Sequence, residues 1–170
     1  MGHPRLAVDG VLLLEGKLVT VIRGQPPFLG KHALPGGGVE LGETTEVAMV
    51  REMKEETGLE VRVAGLVGVY SDPERDPRGH TISIAYEVRR VGGRVAAGSD
   101  AAAVDLVDPA KLPALAFDHA KIVADFLRAR KDPARALRGA SATSPSPSRG
   151  STPRRSTGRI RARTRQHPPS

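Results

Sequence analysis

The chain contains no cysteine and no tryptophan, and aromatic residues fill only 3% of its 170 positions. Without thiols there is no disulfide framework, no thiolate zinc or iron–sulfur site and no cysteine nucleophile, so any metal must be held by oxygen or nitrogen. With so few aromatics, Val, Leu, Ile and Ala have to fill the core. Long hydrophobic runs are also missing: the longest uninterrupted one near the start is Val11 to Leu14, and Met1 to Arg5 leads into no signal-peptide core. The expectation is a cytoplasmic protein that makes no use of a membrane. At about 150 residues per domain, the length points to one domain with a remainder.

Acidic residues are absent from one segment. Residues 139–170 carry seven Arg (149, 154, 155, 159, 161, 163, 165) and no Lys, Asp or Glu. The rest of the chain then has 19 basic against 19 acidic residues, so the net charge of +7 belongs to this segment. It is rich in Ser, Thr, Pro and Arg and has no helical or strand period, so it is expected to be a disordered tail behind a folded domain at 1–138. A basic arm contacting nucleic acid is the alternative, but no aromatics alternate with the arginines as a stacking surface would require, which favours a solvated extension.

Within 1–138, LAVDGVLLLEGKLVTVIRG reads as a hairpin turning at Glu15-Gly16. LPGGGVELGE, with four glycines and a proline, reads as a long shaped loop without regular structure. A helix is expected from about Thr45 to Thr57, with Thr44 or Thr45 as N-cap and Gly58 as its stop. LEVRVAGLVGVY and HTISIAYEV read as strands around the turn-rich SDPERDPRG loop, followed by a Gly-rich turn region at 91–100 and a short strand in AAVDLVD. AFDHAKIVADFLRAR reads as an amphipathic closing helix with Leu115, Ile122, Phe126 and Leu127 facing inward and Asp118 as its cap. The fold class is α+β, with helices packed on the faces of a mixed sheet.

The helix carries the string Arg51-Glu52-Met53-Lys54-Glu55-Glu56. At about 100° per residue, Glu52, Glu55 and Glu56 project within a sector about 100° wide. Val47, Val50 and Met53 fall on the opposite side, the side expected to be buried. Like charges at these spacings repel, so a cation is expected among them. An all-oxygen donor set favours Mg²⁺ or Mn²⁺ over zinc or copper. Arg51, four residues before Glu55, is placed to fix that carboxylate. Such a string also suits a solvated charged face; the glycine loop just ahead of it tips the balance, because Gly36, Gly37, Gly38 and Gly42 allow a compact return that brings Glu40 and Glu43 toward the same site.

Gly37, Glu43, Arg51, Glu52, Met53, Glu55, Glu56, Gly58 and Leu59 together match the pattern G-x5-E-x7-R-E-U-x-E-E-x-G-U, U being a bulky aliphatic residue. This resembles the Nudix box, with every specified position filled. The resemblance implies an α/β/α sandwich and Mg²⁺-dependent hydrolysis of a nucleoside diphosphate linked to another group, with Mn²⁺ as a substitute. It makes Glu52, Glu55 and Glu56 metal ligands, Arg51 their orienting partner, Gly37 a backbone ligand and Glu43 a supporting carboxylate. The water's proton acceptor stays open between the box glutamates and Glu74, Asp76 and Asp100.

The flanking segments YSDPERDPRGHTIS and LAFDHAKI, with the opening hairpin, look like the ADP-ribose pyrophosphatase branch, which implies cleavage of ADP-ribose to AMP and ribose 5-phosphate. Arg75 and Arg78, on a proline-stiffened loop, are candidate substrate contacts beside Gly36, Gly37 and Gly38; the alternative is a surface turn whose charges pair internally. His119 reads as a packing or hydrogen-bonding residue, and Phe28, Tyr70, Tyr86 and Phe117 read as core. His32 stands where relatives often carry Trp. The rival activities are nucleoside triphosphate or oxidised-nucleotide pyrophosphohydrolysis and non-catalytic ligand sensing with a nucleic-acid-binding tail. The resemblance also suggests a homodimer.

Overall fold

The computed structural model describes residues 2–96 and 101–132. The expected tail and Asp100 lie outside them. The opening hairpin is present: β1 (Arg5–Val11) leads into the short β2 (Leu13–Leu14), and β3 (Lys17–Arg23) returns antiparallel to β2 with Leu13 opposite Leu18. Glu15 and Gly16 both have positive φ, 51° and 79°, a turn geometry whose twist suits paired strands.

The glycine loop departs from expectation. After β4 (His32–Ala33), Gly36–Gly38 form a short strand, β5, antiparallel to β1 with Asp9 opposite Gly36. A side chain at Gly36 would strike the Val8 carbonyl and come within 2.9 Å of the Asp9 Cα. The missing Cβ is therefore what lets the backbones pair this closely, and the feature that read as a loop signal is used for contact.

Helix α1 (Thr45–Thr57) matches its expected range because its end signals are local. The Thr44 hydroxyl accepts from the Val47 N–H, and Gly58 closes the helix in the left-handed region at φ 70°. Its buried face, however, is Ala48, Met49, Met53 and Thr57, while Val47 and Val50 are exposed. The expected orientation is thus corrected: the helix turns the Glu52–Glu56 side inward along with its methionines. The methionines fill the space under the helix, with Met49, Met53 and Ala48 packed on Val8, Leu12, Val19, Leu59 and Val88.

Three further strands follow: β6 (Leu59–Tyr70), β7 (Thr81–Gly93) and β8 (Ala101–Val107). One sheet has the order β5-β1-β7-β6, with β1 and β7 parallel and the other pairs antiparallel; in the second, β3 pairs with β2, β4 and β8. Strand β7 runs on to Gly93, into the expected turn region at 91–100, of which residues 97–100 lie outside the described residues. The closing helix α2 (His119–Lys131) starts later than expected, and Leu115, ahead of it, still packs beside Ile122, Val123 and Phe126. Alternating residues of β1 and β7 face α1 (Val8, Tyr86) or α2 (Val11, Ala85), giving the α/β/α sandwich. No helix among the described residues is long and apolar enough to cross a membrane.

Candidate active site

The sandwich leaves a cleft of about 240 Å³ where β1, β5 and the C-terminal end of α1 meet the 71–80 loop and the start of α2. On its acidic side, Glu56 accepts from the Gly36 N–H at 2.9 Å. Burial pushes this carboxyl up to about 7, and the nearby charges of Glu52 and Asp9 add to the effect against the Gly36 hydrogen bond and Arg23. Glu52 lies against Gly37, close enough that no Cβ fits there. Burial raises Glu52 as well, and Arg51 counteracts it.

Arg51 holds this side together. Its Nη1 donates to Glu52 at 2.8 Å and to Glu55 at 3.3 Å, its Nη2 to Glu43 at 2.6 Å and to the Gly38 carbonyl at 2.9 Å, and its Nε to Glu43 at 3.2 Å. Glu43 also accepts from the Glu40 N–H, so it braces the glycine loop to the helix. The structure brings Glu43, Arg51, Glu52 and Glu56 together with Gly36–Gly38. Glu55 stays on the solvent side, its side chain 57% exposed, and Glu40 is also exposed. Among the described residues no three His, Asp or Glu side chains are gathered tightly enough to hold a metal as they stand. Glu52 and Glu55 both accept from the Arg51 guanidinium, whereas Glu56 accepts from the Gly36 N–H, so the three box carboxylates are held by different partners.

The opposite wall is cationic. Arg23, from β3, lines the cleft with Arg5 and Arg78. Burial lowers the Arg23 proton affinity and the neighbouring Arg78 lowers it further, while Glu56 supports its charge. The guanidinium carbons of Arg23 and Arg78 lie 4.9 and 5.4 Å from the centre of the Phe117 ring. Phe117 meets Phe28 edge to face at 4.9 Å, and both sit at left-handed φ, 54° and 64°. Tyr70 and Tyr86 are core as expected, but Phe117 also faces the cleft.

The floor of the cleft is a buried polar network with little signal in the sequence. The Arg75 side chain, 4% exposed, directs its fork at Asp118, with Nε and Nη2 at 3.0 and 2.5 Å, and its Nη2 lies 3.6 Å from Asp9. Arg75 thus ties the 71–80 loop to the start of α2, and it also lines the cleft, where it was expected as a substrate contact. Asp118 occupies the N-cap position without a capping hydrogen bond because its carboxylate is engaged by Arg75. His119 Nδ1 accepts from the Leu34 N–H at 2.9 Å, as the hydrogen-bonding reading expected, and its Nε2 faces Asp9 at 3.4 Å. Asp9 also accepts from the Ser83 hydroxyl. Asp9 and Arg23 were not singled out from the sequence; for Asp9 the available signal was a lone carboxylate between Val8 and Val11 in an otherwise apolar strand.

Of the carboxylates left open as proton acceptors, Glu74 is exposed on its turn, and Asp76 is enclosed by the donors of Arg5, Arg78 and Thr81. Burial works against the Asp76 charge, but the Arg78 hydrogen bonds outweigh it and hold the group below the usual aspartate range.

Residues 3–126 match the NUDIX domain. The chain belongs to the Nudix family. An ADP-ribose pyrophosphatase of Methanocaldococcus jannaschii is 52% identical over 126 residues, 74% of this chain and 75% of that protein. Among solved structures, the NUDIX domain of Shewanella oneidensis NrtR in complex with ADP ribose superposes with a TM-score of 0.65 at 25% identity, covering 77% of this Nudix chain and 90% of that one. An ADP-ribose pyrophosphatase of Streptococcus suis gives a TM-score of 0.65 at 25% identity, covering 76% and 94%.

Proposed function

We propose that this Nudix protein hydrolyses the pyrophosphate bond of ADP-ribose, giving AMP and ribose 5-phosphate, with a divalent cation, Mg²⁺ or Mn²⁺, as cofactor. The observation that carries this is the facing of two walls across one cleft: the Glu56 carboxylate with Gly36 and Gly37, against which Glu52 rests, and the guanidiniums of Arg23 and Arg78 beside Phe117. The guanidinium wall suits phosphate oxygens, and the acidic wall suits a divalent ion that would bring a phosphate to it. The similarity to the jannaschii enzyme selects ADP-ribose among the possible nucleotides.

The residues on the acidic wall fit a hard divalent ion. Their donors are all oxygen, and burial raises the proton affinity of both inner carboxyls, a cost that a bound cation would offset. Glu52, Glu56 and the Gly37 carbonyl would hold it, with Glu55 joining from the solvent side. Such an ion supplies neutralisation of charge at the phosphorus under attack and a water of lowered pKa.

The chain's own groups do the rest. Arg51 and the Gly36 N–H fix Glu52 and Glu56 in single orientations. Arg23 and Arg78 take phosphate oxygens, and the Phe117 face borders the space left for a base or ribose. Water oxygen joins one phosphorus, the bridging P–O bond breaks, and the bridging oxygen leaves on the other monoester while a box glutamate receives the water's proton.

Phosphorus NMR of the full chain with Mg²⁺, comparing ADP-ribose, ATP and dGTP, tests the proposal. Two phosphomonoester resonances appearing from ADP-ribose alone are expected. Hydrolysis of the triphosphates in preference would replace ADP-ribose as substrate, and no hydrolysis at all would make ligand sensing the better reading.

A further inference from the structure

Asp76 is the most enclosed carboxylate of the 71–80 loop, its side chain 2% exposed, yet it holds two guanidiniums that are not enclosed. Its Oδ1 accepts from Arg78 N–H at 2.9 Å and Arg78 Nε at 3.0 Å; its Oδ2 accepts from Arg78 Nη2 at 2.8 Å, Arg5 Nη2 at 3.3 Å and the Thr81 hydroxyl at 3.4 Å. Arg5 also donates to Thr81 at 3.1 Å. Arg78 is a near neighbour in sequence, but Arg5 arrives from the first strand, so this is more than a turn pairing its own charges. The Arg5 and Arg78 side chains are 52% and 47% exposed, and both line the cleft.

One carboxylate between two guanidiniums leaves a local excess of one positive charge. Among the described residues, Arg5 Nε and Nη1 and Arg78 Nη1 have no protein acceptor. A fixed pair of half-exposed forks with free donors matches a phosphoryl group, which has more oxygens than one fork can satisfy. Asp76 itself has no room for a further donor.

We propose that Arg5 and Arg78 form a metal-independent phosphoryl subsite at the mouth of the cleft and that Asp76 is its positioning residue, acting on the ligand only through the two arginines. The inference rests on the reading of this cleft as a pyrophosphate site and adds Arg5 and, through it, Asp76 to the phosphate contact assigned to Arg78. The same subsite would retain a phosphomonoester product after cleavage.

The test is titration of the full chain, stripped of metal with EDTA, with inorganic phosphate and with AMP by calorimetry. Wild type should bind both, and Arg5→Gln and Arg78→Gln should each weaken binding about tenfold, the scale of a lost charged hydrogen bond. Asp76→Asn gives a test of sign. As a bare negative charge near an anion, Asp76 would oppose binding and its neutralisation would tighten it; as the positioning residue, its loss weakens binding about tenfold. In the Arg5→Gln/Arg78→Gln background, Asp76→Asn should have no further effect, whereas a general structural role would add to the double variant. Phosphate binding that is absent in wild type, unchanged by the two arginine variants, or tightened by Asp76→Asn would overturn the inference. If Asp76→Asn does not fold, the half-exposed Arg5 and Arg78 variants still decide the subsite. Because no turnover is measured, an absence of ADP-ribose hydrolysis would count against the activity and leave this result standing.

Discussion

The Glu52 carboxylate rests on the backbone of Gly37, in the space a Cβ would occupy. A methyl group there would meet the far end of a flexible side chain, whereas at Gly36 it would meet the Val8 carbonyl, which cannot move without the strand. The two neighbouring glycines should therefore fail differently. Gly37→Ala is expected to fold with a near-native melting temperature and to lose about a hundredfold in kcat, because a displacement of about 1 Å at a positioned group costs that much. Gly36→Ala should lower the melting temperature markedly. Thermal melts beside ADP-ribose kinetics check both.

Arg51 contacts Glu43, Glu52, Glu55 and the Gly38 carbonyl through three different nitrogens. A lysine offers one point charge in place of this planar spread and cannot hold the loop and two helix carboxylates together. Arg51→Lys should weaken Mn²⁺ binding, followed by electron paramagnetic resonance, by about 10–100-fold, the usual cost of losing an orienting partner of metal ligands. Lys54→Gln, which removes only exposed contacts with Glu60 and the Gly58 carbonyl, should leave Mn²⁺ binding unchanged.

The contrast between Arg51 and Arg75 shows where sequence reasoning holds and where it stops. The position of Arg51 follows from helical spacing, and the ends of α1 follow from Thr44 and Gly58, all features settled within a few residues. The buried face of the same helix does not follow. Glu56 shares a side with Met49 and Met53, and only the sheet beneath decides whether that side turns inward. Arg75 is harder still, because its partners Asp9 and Asp118 come from β1 and the start of α2. An arginine on a polar loop carries no local mark that its fork points into the protein. The strand at Gly36–Gly38 escaped for a related reason: glycine reads as a breaker until a close neighbour is known.

Arg75→Met should be a stability variant. It leaves Asp118 and Asp9 enclosed without their cation, and breaking a buried pair by removing one partner costs about 3 kcal/mol or more. Arg75→Met/Asp118→Asn removes the pair together and should recover part of that loss. Denaturant unfolding measures both. The KM for ADP-ribose of the folded single variant, measured well below its transition, should stay near wild type; a large rise in KM without loss of stability would return Arg75 to the substrate.

His119 is enclosed between the Leu34 N–H on one side and Asp9, Arg75, Asp118 and Arg23 on the other. Burial lowers its proton affinity from the ordinary 6.5, Asp9 only partly offsetting this, so the folded chain keeps a neutral ring with Nδ1 as acceptor. In the unfolded chain the ring takes a proton near 6.5. The unfolded state then binds more protons than the folded one as pH falls below that value, and the stability His119 contributes, fully present above it, is lost at up to about 1.4 kcal/mol per pH unit until the folded ring is itself protonated. His119→Asn, which offers an amide oxygen to the Leu34 N–H but does not titrate, should flatten this part of the profile while remaining folded at pH 7.5. Urea unfolding of both proteins from pH 7.5 to 5.5 makes the comparison. Equal slopes in the two would show that the acid sensitivity lies elsewhere, and a wild-type His119 resonance that titrates near 6.5 would show that the ring is not held neutral.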